Sequence, residues 1–213
     1  MRPGGANSRP FVVGKRQHGH QARCHVPNGD DESLPETPEG RKERLAMTVK
    51  LSKRLSEIAG RLSGAGCDLL ADIGSDHALL PIHAVRHGMC RRAVAADIHD
   101  GPLLAAERNI AAAGLSDRID IRKGDGLAVL SPGEADGIVI AGMGGSTISG
   151  ILEAGKDRLA AARLLLLQPN VGAPLVRRWL HENGWYLRDE CVLEEDGLYY
   201  DILEAVPAKP GDA

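Results

Sequence analysis

Acidic residues and glycines recur together at short intervals in the central part of the chain. The first group is the segment ADIGSDHALLP at residues 71–81, in which Gly74 is followed by Asp76. Gly74 allows the backbone to turn sharply and to approach a ligand closely. The carboxylate of Asp76 would repel a diphosphate in this turn, whereas it would attract a cationic ligand. The alternative is that Asp76 only caps the next helix, with Pro81 in the first turn of that helix.

Two further acids lie near the ends of the next predicted strands. Asp97, in AADIHDGPL at residues 95–103, follows Gly74 at a spacing close to ~20 residues. An acid at about this spacing accepts hydrogen bonds from ribose hydroxyls in nucleotide-binding folds. Asp125, in KGDGL at 123–127, suits the amino group of an adenine, although Gly-Asp-Gly also makes plain turns. The G-x-G-x-x-G pattern of a diphosphate site is absent. Together these features favour S-adenosylmethionine, which carries a sulfonium and an ammonium group but no phosphate, over a nicotinamide dinucleotide.

Two more segments are suited to the wall of a pocket. The glycines of AGMGGSTI, at 141–148, would bring bare backbone to a ligand, and Ser146 or Thr147 can start the next helix. In QPN, at 168–170, the amide of Asn170 both donates and accepts, so it suits the Watson–Crick edge of a base. A plain proline turn is an equally good interpretation of this segment.

The elements that must position these residues alternate between short apolar runs and amphipathic stretches. A helix is predicted to begin near Leu51, and Asp196-Gly197 indicates a hairpin between 185–193 and 198–206. Strands are predicted at 68–73, 92–97, 118–122, 136–141 and 163–168, and helices at 77–88, 101–113, 144–155 and 172–183. Apolar strands separated by helices indicate a parallel sheet that is buried on both faces. Five parallel strands with a terminal antiparallel pair is an α/β arrangement typical of Rossmann-like methyltransferases.

Composition and charge argue against several classes of protein. No segment has the ~20 consecutive apolar residues of a membrane helix, and no cysteine pattern indicates a metal site. We therefore expect a cytoplasmic protein with no bound metal and no membrane partner. The formal net charge is −3, so any polyanionic partner would have to meet a local basic patch.

The chain is predicted to have one folded domain, at residues 47–206, and a short tail at 207–213. Residues 1–46 lack hydrophobic periodicity and are rich in Gly, Pro and charged residues, so we expect a disordered N-terminal extension. Because Met47 precedes the first regular pattern, a start at Met47 is an alternative to a genuine extension.

The motifs converge on one family. From LSKRL at 51–55 to about Val206, the chain resembles the bacterial tRNA adenine-22 N1-methyltransferases, the TrmK family. The matching blocks are LSKRL, ADIGSDHA, DGPL, GDGL, ADGIVIAGMGG, ILEAGK, LQPN and LEEDG. The resemblance implies a Rossmann-like class I S-adenosylmethionine-dependent methyltransferase with a mostly parallel seven-stranded sheet. It also implies that the substrate is tRNA, which would be methylated at N1 of adenine 22.

The resemblance implies roles for individual residues as well. The cofactor site would be lined by Gly74, Asp97, Asp125, Gly126 and the backbone of Ala141, Gly142, Met143 and Gly144. We add the neighbouring Asp72, Ser75, His77 and Ile98 to this set of cofactor-binding residues. Asp76 matches the acid of the GSDH block, and we expect it to have a catalytic or substrate-orienting role.

For the substrate, we expect tRNA phosphates to meet cations of the first helix, chiefly Lys53 and Arg54, with Lys50 and Arg61 beside them. Gln168, Asn170 and Tyr199 are the candidates for contact with the base. We expect a monomer. Family members typically continue into a C-terminal coiled-coil domain, so a different RNA or a small molecule remains an alternative substrate. An alternative of another class is a non-catalytic module that binds the cofactor or tRNA.

Overall fold

The computed structural model describes residues 50–209, so the predictions for residues 1–46 and for the end of the 207–213 tail lie outside it. Strands and helices alternate along the described chain until a closing pair of strands. The strands are β1 (Cys67–Ile73), β2 (Cys90–Asp97), β3 (Ile119–Lys123), β4 (Gly137–Gly144), β5 (Leu164–Val171), β6 (Trp185–Glu195) and β7 (Leu198–Pro207). The helices are α1 (Lys53–Ser63), α2 (Leu79–Arg86), α3 (Asp100–Ala112), α4 (Gly145–Ala154) and α5 (Ala173–Glu182), with short 3₁₀ helices at Gly126–Val129 and Lys156–Ala161.

The strands form one seven-stranded sheet in the order β3-β2-β1-β4-β5-β7-β6. The first five strands are parallel, while β7 lies antiparallel between β5 and β6. Asp196 and Gly197 have φ angles of 53° and 77°, which is the left-handed pair that a two-residue hairpin turn requires. The predicted α/β fold class with its terminal antiparallel hairpin is confirmed.

The core lies in two layers because successive strand residues point to opposite faces of the sheet. In β4, Val139 packs with α1, α2 and α3 on one face, while Ile138 and Ile140 pack with α4 and α5 on the other. All three side chains are fully buried. This two-sided burial explains why the central strands are continuous apolar runs, and it fixes the carboxyl edge of the sheet as the place where the polar loops meet.

Two boundaries differ from the prediction in ways that affect the site. α2 begins at Leu79 rather than at 77, because His77 and Ala78 adopt left-handed φ angles of 62° and 55°. β4 and β5 run three residues past their predicted ends, to Gly144 and Val171. The additional residues carry the polar segments of both strands into the site. Among the residues described, no helix is long and apolar enough to cross a membrane.

Candidate active site

The turn after β1 is hydrogen-bonded to the neighbouring strand, β2. The backbone N–H groups of Gly74 and Ser75 both donate to the carbonyl oxygen of Ala96, each at 2.8 Å. Gly74 has a φ of +75°, and a Cβ built on it would lie 2.2 Å from the Cε of Met143. The left-handed conformation therefore favours glycine at this position, and an added Cβ would also displace the end of the Met143 side chain.

Asp72 is the buried acid of this turn. Its Oδ2 accepts a hydrogen bond of 2.7 Å from the Ser75 hydroxyl, and its side chain contributes to the wall of a cavity. Burial raises the pKa of Asp72 to about 6, whereas the hydrogen bond from Ser75 acts in the opposite direction. A buried carboxylate beside a cavity favours a cation as the occupant, because a cation would restore the electrostatic stabilisation that burial removes.

Asp76 stands at the rim of the turn, with its side chain 74% exposed and its Oδ1 at 3.1 Å from the Nε2 of His77. The alternative that Asp76 caps α2 is wrong, because the residue at the cap position is Ala78 and no side chain caps the helix. Two consecutive left-handed residues without glycine are strained by about 1–3 kcal/mol each. The amide of Asn109 in α3 holds this segment by donating to the carbonyl of His77 at 2.9 Å.

Asp97 ends β2 and organises the loop that follows. Its Oδ1 accepts the backbone N–H of His99 at 2.8 Å and lies 3.2 Å from the Nδ1 of the same residue. Within residues 50–209, its second carboxylate oxygen has no hydrogen-bond partner. The next residue, Ile98, is 51% exposed despite its apolar side chain. An acid with a free oxygen beside an exposed apolar side chain suits a ribose that carries a flat base.

Asp125 follows β3 and is exposed at the start of a 3₁₀ helix that no side chain caps. It lines, with Gly126 and Ile151, a groove of about 330 Å³ between this helix and α4. Gly126 has a φ of +53°, and an added Cβ would lie 3.0 Å from Ile151. The structure thus keeps the Asp125 carboxylate available while the backbone at Gly126 passes close to the groove.

The end of β4 forms an irregular wall. Its pairing with β5 shifts register between Ala141 and Met143 and again between Met143 and Gly144. Gly142, at the first shift, has a φ of +78° and open space where a Cβ would stand. The expectation that Ser146 or Thr147 caps the start of α4 is wrong, since the residue at the cap position is Gly144 and no side chain caps the helix.

Gln168 and Asn170 of β5 contact this wall directly. The Gly142 N–H donates to Oε1 of Gln168 at 3.1 Å, and Nδ2 of Asn170 donates to the Gly142 carbonyl at 2.7 Å. The proline-turn alternative is wrong, because residues 168–170 lie within β5. The amide of Asn170 is bonded at both ends within the protein, to Gly142 and to Gln168.

Two basic side chains of α1 are already paired with acceptors inside the protein, which the sequence alone does not show. Nε of Arg54 donates to Glu195 at 2.7 Å, Nη1 donates to Gln168 at 3.0 Å, and the guanidinium lies 4.3 Å from the ring centroid of Tyr200. Although burial acts to raise it, hydrogen bonds from Arg54 and from the Lys53 backbone hold the pKa of Glu195 below its usual value. Arg54 is therefore a neutralised part of the pocket wall, while the Lys53 side chain stays exposed.

Arg61 does not fit the expected contact with phosphate. Its side chain is 10% exposed and its guanidinium is paired with Glu57, Asp189 and Glu204. The expectation for Arg61 was wrong, because its charge is already neutralised by Glu57 one turn away in α1 and by Asp189 and Glu204. The last two come from β6 and β7, which local helical spacing does not reveal. By contrast, Tyr199 is 73% exposed at the start of β7, so it is not a core residue.

A cavity of about 300 Å³ lies at the carboxyl edge between the turn after β1, the start of α1 and the ends of β4 and β5. Of the predicted site residues it brings together Arg54, Asp72, Gly74, Asp76, Ala141, Gly142 and Gln168, and it adds Ser52, Leu55, Leu79 and Leu80. Asp97, at the end of β2, and Asp125, in the loop after β3, lie outside the cavity wall, as do Lys53, Asn170 and Tyr199. The LSKRL block was the signal that the start of α1 belongs to the site. Within residues 50–209, no group of three His, Cys, Asp or Glu side chains is arranged to hold a metal ion.

Comparison with known proteins agrees with this arrangement. Residues 70–212 match the model of the tRNA (adenine(22)-N(1))-methyltransferase family, TrmK. The tRNA (adenine(22)-N(1))-methyltransferase of Bacillus subtilis is 49% identical over 157 residues, which cover 74% of this chain and 65% of that relative.

Two solved structures share the fold. The crystal structure of the B. subtilis M1A22 tRNA methyltransferase TrmK aligns with a TM-score of 0.71 and 48% identity, covering 76% of this chain and 68% of the other. A Streptococcus pneumoniae protein in complex with S-adenosyl-L-methionine aligns with a TM-score of 0.71 and 40% identity, covering 76% and 75%. The chain belongs to the tRNA (adenine(22)-N(1))-methyltransferase family.

Proposed function

We propose that the chain transfers a methyl group from S-adenosyl-L-methionine to N1 of adenine 22 in tRNA. The observation that carries the proposal is that the family match spans residues 70–212, which include every loop at the carboxyl edge from β1 to the closing hairpin. The chain covers 65% of the length of the B. subtilis relative. The activity, the substrate and the partners of the whole relative are therefore inferred for this chain.

The residues of the site fit the cofactor. Asp72 is a buried anion beside the cavity and suits the cationic methionine end, while Asp97 keeps one carboxylate oxygen free for ribose hydroxyls. Asp125 is exposed for the adenine amino group, and Ile98 offers an apolar surface to its ring. Four carboxylates around the site would repel a diphosphate, so a nicotinamide dinucleotide does not fit.

When bound, S-adenosylmethionine supplies an activated methyl group on a sulfonium. Adenine N1 has an in-plane lone pair at pH 7, so the chain needs no general base. Its residues must instead align the base and exclude water, and positioning supplies up to ~7–11 kcal/mol of a barrier in favourable cases. Asp76, at the cavity rim, would accept a hydrogen bond from the exocyclic amino group and offset the positive charge that N1 methylation creates.

The tRNA would bind over the cavity mouth. Lys53 and Lys50 are exposed at the start of α1 and would meet phosphates, whereas Arg54 would act from within the pocket wall. A target base in a paired region must leave its stack before it reacts. Tyr199, exposed at the start of β7, offers a ring on which a displaced base would stack.

The test is methyl transfer with position mapping. The full chain is incubated with isotopically labelled S-adenosylmethionine and an unmodified tRNA, and the modified nucleotide is identified by mass spectrometry of nuclease fragments. The proposal requires one methyl group at N1 of adenine 22 and no incorporation into a tRNA with guanine at that position. Equal incorporation into both tRNAs would indicate another target, and binding of the cofactor without transfer would indicate a non-catalytic module.

We make three further proposals together with this function. The chain works in the cytoplasm, where its tRNA substrate is modified. It acts as a monomer, because one chain supplies all the residues argued to form the site. The folded unit extends over residues 47–206, as the sequence pattern indicates.

A further inference from the structure

Gly142 is enclosed by a ring of side-chain hydrogen bonds from β5. Its N–H donates to Oε1 of Gln168 at 3.1 Å, and its carbonyl accepts from Nδ2 of Asn170 at 2.7 Å. Nε2 of Gln168 donates to Oδ1 of Asn170 at 3.1 Å, which closes the ring. Both backbone polar groups of one cavity-lining residue are thus held by two side chains.

The ring works in only one orientation. The Gly142 carbonyl can only accept, so Asn170 must present its NH₂ group there and its oxygen to Gln168. Gln168 must then donate to Asn170 and accept with Oε1, which receives both the Gly142 N–H and the Arg54 guanidinium. If either amide were reversed, two acceptors or two donors would face each other. The two fixed backbone groups therefore define both amide orientations.

The ring replaces ladder hydrogen bonds that β4 and β5 cannot form at this point. Pro169 stands opposite Met143 and has no backbone N–H to donate. The pairing shifts register on both sides of Met143, and Gly142 turns to a φ of +78°. The side chains on either side of Pro169 supply the missing donor and acceptor. These hydrogen bonds therefore fix the conformation of the irregular backbone.

The ring is also connected to the C-terminal hairpin. Arg54 donates to Gln168 and to Glu195 at the end of β6, and it lies over the ring of Tyr200 in β7. Gln168 is 1% exposed and Glu195 is 8% exposed, while the Arg54 side chain that joins them is 28% exposed at the cavity wall. Hydrogen bonds in which one group is charged are stronger than those between neutral groups.

We propose that Gln168 and Asn170 are positioning residues that hold the Gly142 backbone in the shape that methyl transfer requires. The inference rests on the proposed function and deepens it. It gives Asn170 a role other than the expected contact with the Watson–Crick edge of the target base, because one N–H and one lone pair of its amide already bond within the protein. Arg54 anchors the ring to the hairpin.

The test uses Asn170→Asp in the full chain. The change is nearly isosteric, but it puts a carboxylate oxygen against the Gly142 carbonyl in place of the NH₂ donor. Since small misplacements at a reacting centre cost up to ~100-fold in rate, we expect kcat for tRNA to fall by about 10- to 100-fold. We expect KM for tRNA to change by less than about threefold, because a positioning role requires no contact between this side chain and the base. Asn170→Ala removes the donor without adding repulsion, so its kcat should lie between that of the wild type and that of Asn170→Asp.

Asn183→Asp is the matched control. The Asn183 amide also donates to a backbone carbonyl, that of Trp179 at 2.8 Å, but at the end of α5. We expect this variant to keep kcat and KM within about twofold of the wild type. A raised KM with an unchanged kcat in Asn170→Asp would overturn the positioning role and restore direct contact with the base.

Amide hydrogen exchange separates this inference from the proposed function. In the wild type without tRNA, the Gly142 N–H should be protected, and Asn170→Asp should speed its exchange by at least about tenfold while Asn183→Asp leaves it unchanged. Unchanged exchange in Asn170→Asp would overturn the inference whatever the activity. Faster exchange, together with a wild type that methylates no tRNA, would support the ring and refute the proposed function.

Discussion

Four aspartates around the cavity and the adjoining loops differ mainly in their solvent exposure. Asp72 is buried, Asp97 is half-buried, and Asp76 and Asp125 are exposed. A buried carboxylate gains most from a cationic partner, whereas exposed carboxylates can accept hydrogen bonds from neutral amino groups at little cost. The same residue type thus has different roles in one site because of its position.

The first prediction concerns the pH dependence of cofactor binding. Because burial raises the pKa of Asp72 to about 6, its carboxyl is protonated in the free protein below that pH. The ionised form binds a cation, so the affinity for S-adenosylmethionine should fall by up to about tenfold per pH unit below pH 6. In the absence of the cofactor the sign is opposite, since a raised pKa of an acid makes this group's contribution to stability increase as the pH falls through 6.

Calorimetric titration between pH 5 and 7.5 measures this dependence. Asp72→Asn should bind more weakly at pH 7.5 and lose the dependence. Ser75→Ala removes the hydrogen bond that favours the ionised carboxylate, so it should move the transition to higher pH. A wild-type affinity that is constant over this range would contradict the role given to Asp72.

The second prediction concerns Asp76. Asp76→Ala should lower kcat for tRNA by about 10- to 100-fold, the scale of one hydrogen bond to a charged group, while the dissociation constant of the cofactor changes by less than threefold. Steady-state kinetics with calorimetry checks both values. Asp100→Ala, which removes another exposed aspartate at the start of α3, should leave both unchanged. Equal losses of kcat and of cofactor affinity in Asp76→Ala would refute the orienting role.

Among the elements of the fold, the turn after β1 combines a glycine in the left-handed conformation with two strained residues. The third prediction compares Gly74→Ala with Gly114→Ala, whose φ angles are +75° and +69°. Both substitutions put a Cβ on left-handed backbone, which costs about 1–2 kcal/mol. Only the first meets a side chain, that of Met143, whereas Gly114 has open space.

Both variants should therefore lose a similar part of their stability to urea, but only Gly74→Ala should lose cofactor affinity, by at least tenfold. Thermal or urea unfolding and calorimetry supply the two values. Equal cofactor affinity in the two variants would show that the turn at Gly74 does not shape the binding site.

The sequence predicted the elements well because their signals are local. Apolar runs of strand length and the Asp196-Gly197 turn are visible within a few residues, and every predicted strand and helix is present. The site was less predictable, since Arg54 and Glu195 pair across 141 residues of sequence. The same applies to Arg61, two of whose partners lie on distant strands, and to Asn170, whose amide is bonded beside Pro169, which interrupts the ladder. Helical spacing and residue type identify none of these pairings.

At the scale of the whole molecule, the net charge of −3 means that a polyanion must be bound through a local patch. The fourth prediction is that Lys53→Glu weakens tRNA binding by about tenfold at low salt and reduces the slope of log affinity against log salt by about 1. Arg91→Glu reverses a charge at the opposite, amino edge of the sheet, where Arg91 pairs with Asp68 in solvent. It should change neither value measurably.

Filter binding or fluorescence anisotropy at several salt concentrations measures these slopes. Equal effects of the two reversals would show that tRNA binding depends on overall charge, and it would remove the start of α1 from the interface.

The function proposed for this chain requires the acid-lined turn after β1 to bind a sulfonium donor and to exclude a diphosphate. Isothermal titration of the full chain at pH 7.5 with S-adenosylmethionine, and separately with NAD, tests it most directly. We predict saturable one-to-one binding of S-adenosylmethionine and no measurable binding of NAD at the same concentration. Tight binding of NAD, with none of S-adenosylmethionine, would contradict it.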